Sequence, residues 1–203
     1  MGFFGNLFGN LFGKGKRANA SAGISERSKN MTIDIRNDCF IIDGKKLEVP
    51  MHIDAFSAVL GKPRAVKFKT DKESKEFLEE MHSEPVTKRV NYTWDDLGLM
   101  CYTLNGRVVN TFGICLNNKD YHVDSDPKTL FGGTVTIMGD DWFKAVMMGN
   151  DADFMRKLRI GNDILLTAEY TDFEQNDSER DKTSFTGIEI QLTEFGDFDD
   201  DED

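Results

Sequence analysis

The stretch that decides the fold is residues 91–116, NYTWDDLGLMCYTLNGRVVNTFGICL. Two runs rich in aromatic and branched side chains flank Asn105-Gly106, a dipeptide that favours a type I′ turn, so we predict a β-hairpin here. Within the first run we predict a corner at Trp94-Asp95-Asp96-Leu97-Gly98. Trp94 should be buried, the aspartates should turn the chain, and Gly98 should take an unusual backbone angle.

The pattern on either side of this stretch is also rich in strands. Asp43-Gly44 lies between two apolar runs and predicts a second hairpin. Further strands are predicted at 33–36, 65–69, 131–138, 164–173 and 184–192. A short helix is expected over 53–60, because Ile53, Phe56 and Leu60 share one face and Gly61 follows as a C-terminal cap.

Two other regions have helical patterns. The charged stretch 72–82 predicts a surface helix, and 141–148 and 151–159 predict one or two short helices. Few, short helices among many hairpins indicate the α+β class. We therefore predict a predominantly antiparallel sheet, preceded by an amphipathic N-terminal helix.

Shifts in composition divide the chain. Residues 18–30 are small, polar and charged, as in a flexible linker, and the body spans 31–194. The order of elements in 31–117 partly recurs in 129–194, which suggests two similar halves. Residues 195–203 form an acidic tail that repels itself, and we predict disorder there.

The first 17 residues, MGFFGNLFGNLFGKGKR, repeat Gly-Asn-Leu-Phe every four residues. On a helical wheel the apolar side chains fall in one half and glycines in the other, with basic residues following. This pattern predicts a helix that contacts a membrane surface or a partner, and the alternative is packing onto the body. The contact residues would be Phe3, Phe4, Leu7, Phe8, Leu11, Phe12, Lys14, Lys16 and Arg17.

Composition restricts the classes of function. The net charge of −11 over 203 residues argues against generic nucleic-acid binding and favours a basic protein partner. Cys39, Cys101 and Cys115 are odd in number and form no CxxC motif, so we predict buried thiols in a reducing compartment. Without a secretory-signal or membrane-spanning pattern, we expect a cytoplasmic protein, with peripheral contact at the inner membrane as an option.

Residues 120–126, DYHVDSD, place carboxylates beside an imidazole. Their spacing matches no defined metal-ligand set, so we predict a solvated polar loop. A hydrolase using His122 and Asp124 stays open as an alternative, but we predict no enzyme, no catalytic residue, no metal and no cofactor. The predicted partner-binding residues are Asp95, Asp96, Asp120, Asp124 and Asp126.

Four short motifs carry a resemblance: Tyr92-Thr93-Trp94-Asp95-Asp96-Leu97-Gly98, Asp43-Gly44-Lys45, Leu60-Gly61-Lys62-Pro63 and Phe131-Gly132-Gly133. Over residues 31–192 the chain resembles a bacterial family that is similar to the immunity partners encoded beside polymorphic toxins. Members often begin with a stretch like Met-Gly-Phe-Phe. The resemblance implies a non-catalytic protein that neutralises a toxin by binding it, and it carries over no catalytic residue. A membrane-associated adaptor anchored by residues 1–17 is the alternative.

Overall fold

The computed structural model describes residues 23–82, 84–117, 126–152, 155–161, 164–170 and 176–192. The predicted N-terminal helix and acidic tail lie outside these residues. The first half contains β1 (Thr32–Ile35), β2 (Cys39–Ile42), β3 (Lys45–Glu48), α1 (Ile53–Leu60), β4 (Arg64–Lys67), α2 (Lys72–His82), β5 (Val90–Trp94), β6 (Leu99–Thr103) and β7 (Thr111–Cys115).

The second half contains β8 (Thr134–Ile137), β9 (Asp140–Asp141), α3 (Trp142–Met147), β10 (Asn150–Ala152), β11 (Met155–Ile160), β12 (Ile164–Tyr170) and β13 (Phe185–Gln191). Two 3₁₀ turns, Asp177–Glu179 and Lys182–Ser184, precede the last strand. Among the described residues, no helix is both long and apolar enough to cross a membrane.

The strands form two sheets, each built from both halves of the chain. The smaller sheet has the order β3-β2-β1-β8-β9, in which β1 and β8 run parallel. The larger sheet has the order β10-β11-β12-β13-β7-β6-β5-β4 and is antiparallel, with β13 pairing with β7 to join two four-stranded meanders. The predicted predominance of antiparallel sheet with few short helices is confirmed. Because both halves contribute to both sheets, they share one core.

That core lies between the sheets and under α1 and α3. α1 turns Ile53, Phe56 and Leu60 inward, as their spacing predicts. Phe56 stacks on Phe112 of β7 at 5.0 Å between ring centroids. Each fully buried side chain of this size contributes roughly 1.5–3 kcal/mol. On the other side, Trp142 of α3 meets Phe185 edge to face at 5.6 Å.

The two predicted tight turns differ in outcome. Asp43 and Gly44 have φ of 48° and 77°, the left-handed angles that a type I′ turn needs, and they join β2 to β3. The hairpin of β6 and β7 also forms, with Leu99 opposite Ile114. However, the predicted type I′ turn at Asn105-Gly106 is wrong, because residues 104–110 form a longer loop.

Tertiary contacts explain this longer loop. The Asn105 side chain accepts hydrogen bonds from the backbone N–H groups of Arg107 and Val108, which stabilises an Asx-type turn. The Arg107 carbonyl then accepts the N–H of Ile53, the first residue of α1. The loop therefore ties the start of α1 to the larger sheet, which a two-residue turn could not reach.

The helix predicted within 151–159 is also wrong, since this segment forms β10 and β11. β11 pairs with β12 over its full length, from Met155 opposite Glu169 to Ile160 opposite Ile164. The pairing partner decides the structure, because the mixed spacing of apolar residues here fits either type of element.

Candidate functional site

The corner predicted at residues 94–98 exists and connects β5 to β6. The Trp94 side chain is buried, and its indole N–H donates to the Gly61 carbonyl at 2.7 Å, just after α1 ends. Gly98 has φ of 72°, as predicted. A Cβ added at Gly98 would lie 2.2 Å from the backbone nitrogen of Phe131, so the corner is pressed against the chain that leads into β8.

Asp95 is fixed within this corner by a cation and by backbone. Arg64, the first residue of β4, donates from Nε and Nη2 to the two carboxylate oxygens at 2.7 and 2.8 Å. Arg64 Nη2 also donates to the backbone carbonyl of Asp126 at 2.9 Å. Hydrogen bonds from Arg64 are the largest cause that lowers the pKa of Asp95. The structure thus brings the Asp95 carboxylate and the Asp126 backbone carbonyl to one guanidinium.

Asp96 stands at the outside of the corner, with 62% of its side chain exposed. Arg27 donates to its carboxylate at 2.6 Å and, through Nη2, to the Leu60 carbonyl at 2.8 Å. The hydroxyl of Ser25 donates to the backbone carbonyl of Asp96. We call Asp95, Asp96 and Asp126 the acidic corner. Its tethers run to three separate segments of the chain, residues 25–27, 61–64 and 129–131, so its shape is set before any partner arrives.

The remaining predicted contact residues lie outside the described part of the chain. These are Asp120 and Asp124, together with all nine residues named in the N-terminal segment. Within the part that the structure describes, no three His, Cys, Asp or Glu side chains come together as a possible metal site.

A second polar surface was missed by the sequence reasoning. It lies on the face of the larger sheet that points away from the core, where neighbouring strands place Thr167 beside Glu189 and Gln191 beside Thr111. Glu169 lies on the same face of β12. We call Thr111, Thr167, Glu169, Glu189 and Gln191 the polar face. In the sequence these residues alternate with apolar ones, which indicates a strand with one polar face. The same alternation is typical of a strand whose polar face is exposed to water, so it does not indicate that this face is buried.

The polar face is unusually buried. Gln191 is 6% exposed, and its Oε1 atom has no hydrogen-bond partner among the described residues. Thr111 and Thr167 are also buried. Burial raises the pKa of Glu169, and burial followed by the charge of Glu169 raises the pKa of Glu189 to about 8. Both carboxyl groups are therefore easier to protonate than ordinary glutamates.

The thiols are held in unreactive surroundings. Cys39 and Cys101 are buried as predicted, whereas Cys115 at the end of β7 is half-buried. Burial is the main cause that raises the pKa of each thiol, and it brings Cys115 to about 12. Thiols in this state are poor nucleophiles, because the thiolate is the reactive form.

The fold and these surfaces define a two-sheet α+β protein with a tethered acidic corner. The chain belongs to the family described as domain of unknown function DUF7738, whose profile matches residues 32–150, from the start of β1 to the start of β10. Comparison with curated proteins and with solved structures gave no significant match.

Proposed function

We propose that this protein is a non-catalytic binding protein that neutralises a cognate bacterial toxin by direct contact through the acidic corner. The observation that carries the proposal is Asp96, an exposed carboxylate on a turn whose neighbours are fixed by Arg64, Arg27 and the Trp94 indole. A contact surface that is already ordered loses little conformational entropy when it binds. Such a corner therefore suits tight protein recognition.

Charge supports the same proposal. The chain carries a net charge of −11, so its field attracts a basic partner and speeds their association. Toxins that act on nucleic acids need basic surfaces to hold phosphates, and an acidic protein can occupy such a surface. Two other motifs on which the resemblance to immunity-like proteins rests contact this corner, through the Gly61 carbonyl that accepts from the Trp94 indole and through Phe131 beside Gly98.

The experiment begins with affinity capture of the tagged full chain from its native bacterium, followed by mass spectrometry. We expect a stoichiometric partner that is the C-terminal piece of a large secreted protein. Co-expression should then protect cells from that piece. Purified toxin should bind the wild-type chain, and Asp96→Lys should weaken binding by about tenfold or more, a loss of about 1.4 kcal/mol.

The matched control is Glu76→Lys, which makes the same charge change at an exposed ion pair of α2. It should leave the affinity close to that of the wild type. The proposal fails if the captured toxin piece kills cells that express this protein, or if both variants weaken binding equally. Capture of only membrane components, with binding to anionic vesicles that needs residues 2–17, would instead support the adaptor.

A further inference from the structure

The strand β4 leaves one edge of the larger sheet open. Among the described strands it pairs only with β5. Phe68, which directly follows β4, donates its N–H to the Arg89 carbonyl at 3.1 Å, one position beyond the last pair of this ladder. In an antiparallel ladder such bonded positions alternate with positions whose N–H and C=O groups point away from the partner strand. The backbone groups of Ala65 and Lys67 therefore point outward from the sheet.

Solvent reaches these outward backbone groups. Ala65 and Lys67 are both exposed. No group within the described ranges forms a hydrogen bond with the outward N–H or C=O of either residue. A strand edge in this state is a template on which another extended chain can pair. The edge offers the N–H donors and the carbonyl acceptors of both residues to such a chain.

The same edge is basic in a chain that is otherwise acidic. Between Asp54 and Asp71 the sequence contains basic residues and no acidic ones, and the basic residues are Lys62, Arg64, Lys67 and Lys69. Arg64 is paired with Asp95, but the three lysines are exposed and form no ion pair with any residue that the structure describes. The helix α2, which follows in the sequence, pairs two of its glutamates with its own lysines. The edge therefore keeps a local positive charge.

We propose that the outer edge of β4 docks an extended, acidic segment of a partner protein as an additional strand. The backbone of this segment would pair with Ala65 and Lys67, and carboxylates at alternate positions would lie near Lys67 and Lys69. Lysines at an open edge disfavour pairing with apolar strands. A second copy of the same edge would bring lysine against lysine. The charges therefore favour an acidic strand as the occupant.

The test uses the full chain and a synthetic peptide with blocked ends, Thr-Glu-Val-Glu-Val-Glu-Thr. Amide hydrogen exchange, followed by NMR, reports on each position of β4. Without peptide, the Ala65 and Lys67 amides should exchange quickly, whereas the Val66 amide, which faces β5, should be protected. Saturating peptide should slow exchange at Ala65 and Lys67 by at least about tenfold. Unchanged exchange at these two amides would overturn the proposal.

Two variants separate docking from general charge attraction. Ala65→Pro removes an outward N–H and keeps the ladder to β5, because proline fits an edge position whose N–H faces solvent. It should weaken peptide binding, measured by fluorescence anisotropy, by at least about tenfold, and Lys67→Glu should do the same. The matched control is Lys45→Glu, on the edge strand β3 of the smaller sheet, which should leave the affinity unchanged. Equal weakening by the two lysine variants would overturn the proposal.

Other occupants of the edge would give different results. If Ala65 and Lys67 were protected without peptide and lost this protection on dilution, a second copy would be the occupant. If deletion of residues 195–203 removed the protection, the occupant would be the acidic tail of the chain itself. A single-stranded oligonucleotide that protected both amides as well as the peptide does would show a general preference for polyanions. Each of these three results would overturn the proposal.

The docking does not rest on the toxin proposal. Ala65→Pro leaves the exposed Asp96 carboxylate in place, so it should weaken the binding of the acidic peptide and leave the binding of a basic toxin unchanged. Asp96→Lys should do the reverse. Failure of either proposal therefore leaves the other intact.

Discussion

Arg64 and Asp95 form a two-pronged ion pair, with Nε to Oδ2 at 2.7 Å and Nη2 to Oδ1 at 2.8 Å. Among the described strands, β4 lies at the edge of the larger sheet and pairs with β5. Arg64 begins β4, and Asp95 follows β5. The pair therefore fastens the edge of the larger sheet to the acidic corner. Planar two-point pairing is stronger and more directional than a single contact.

Asp95→Asn should destabilise the protein by about 1–3 kcal/mol, because it removes a charge-assisted pair that is only partly exposed. Since folding lowers the pKa of Asp95, its contribution is complete above the unfolded pKa of 3.8 and is lost as the pH falls through the folded pKa. Urea unfolding at several pH values measures this. The wild-type advantage should be constant between pH 6 and pH 8 and should shrink below pH 3.8.

Asp96→Asn is the matched control for this pair. Both partners of the Arg27–Asp96 contact are more than half exposed, so its loss should cost at most about 1 kcal/mol. If Asp96→Asn lowered the free energy of unfolding as much as Asp95→Asn, the claim that the Arg64–Asp95 pair stabilises the protein more than the Arg27–Asp96 pair would be contradicted.

Gly98→Ala should be among the most damaging single changes, at more than about 3 kcal/mol. The added methyl group would be 2.2 Å from the Phe131 nitrogen, and φ is 72°, which side chains disfavour. Gly44→Ala separates these two effects, because Gly44 has φ of 77° but open space around it. We expect Gly44→Ala to cost only about 1–2 kcal/mol in the same urea titration. Equal losses would show that backbone strain, rather than the clash, dominates.

Features that depend on a few neighbouring residues could be predicted from the sequence. The inward face of α1, its end at Gly61, the turn at Asp43-Gly44 and the left-handed Gly98 each follow from local sterics or periodicity. Trp94 was expected to be buried on the same grounds. For the site, the sequence could indicate the corner, but not that Arg64, 31 residues earlier, holds Asp95.

Features set by distant pairing could not be predicted. Residues 155–160 form a strand because β12 lies beside them, and the loop after Asn105 is long because Arg107 binds Ile53 of α1. The polar face exists because β13 pairs with β7, which lies far away in the chain. A single strand with alternating polar residues carries no sign of what covers it.

Glu189→Gln should change how stability depends on pH. The pKa of Glu189 is about 8 in the folded protein, against 4.5 for an unperturbed glutamate, so the folded state binds more protons between these values. Wild-type stability should therefore fall as the pH rises from about 4.5 to 8. Glutamine is uncharged at every pH in this range, so the variant should not lose stability in this way.

Thermal unfolding of both proteins at pH 5 and pH 8.5 measures the effect. Glu189 keeps some contact with solvent, so we expect the variant to be more stable by about 1–2 kcal/mol at pH 8.5, which is about 2–8 °C in Tm. At pH 5 the two proteins should be nearly equal. A constant difference at both pH values would show that Glu189 titrates normally.

The three cysteines should resist thiol reagents while the protein is folded. Burial raises the pKa of Cys115 to about 12, so the thiol stays almost entirely protonated at pH 7.5. The pKa of Cys39 and that of Cys101 are also raised, and both side chains are buried. Titration with Ellman's reagent should show slow reaction in native buffer and rapid reaction of all three thiols in denaturing urea. A native thiol reacting as fast as free cysteine would contradict the burial described here.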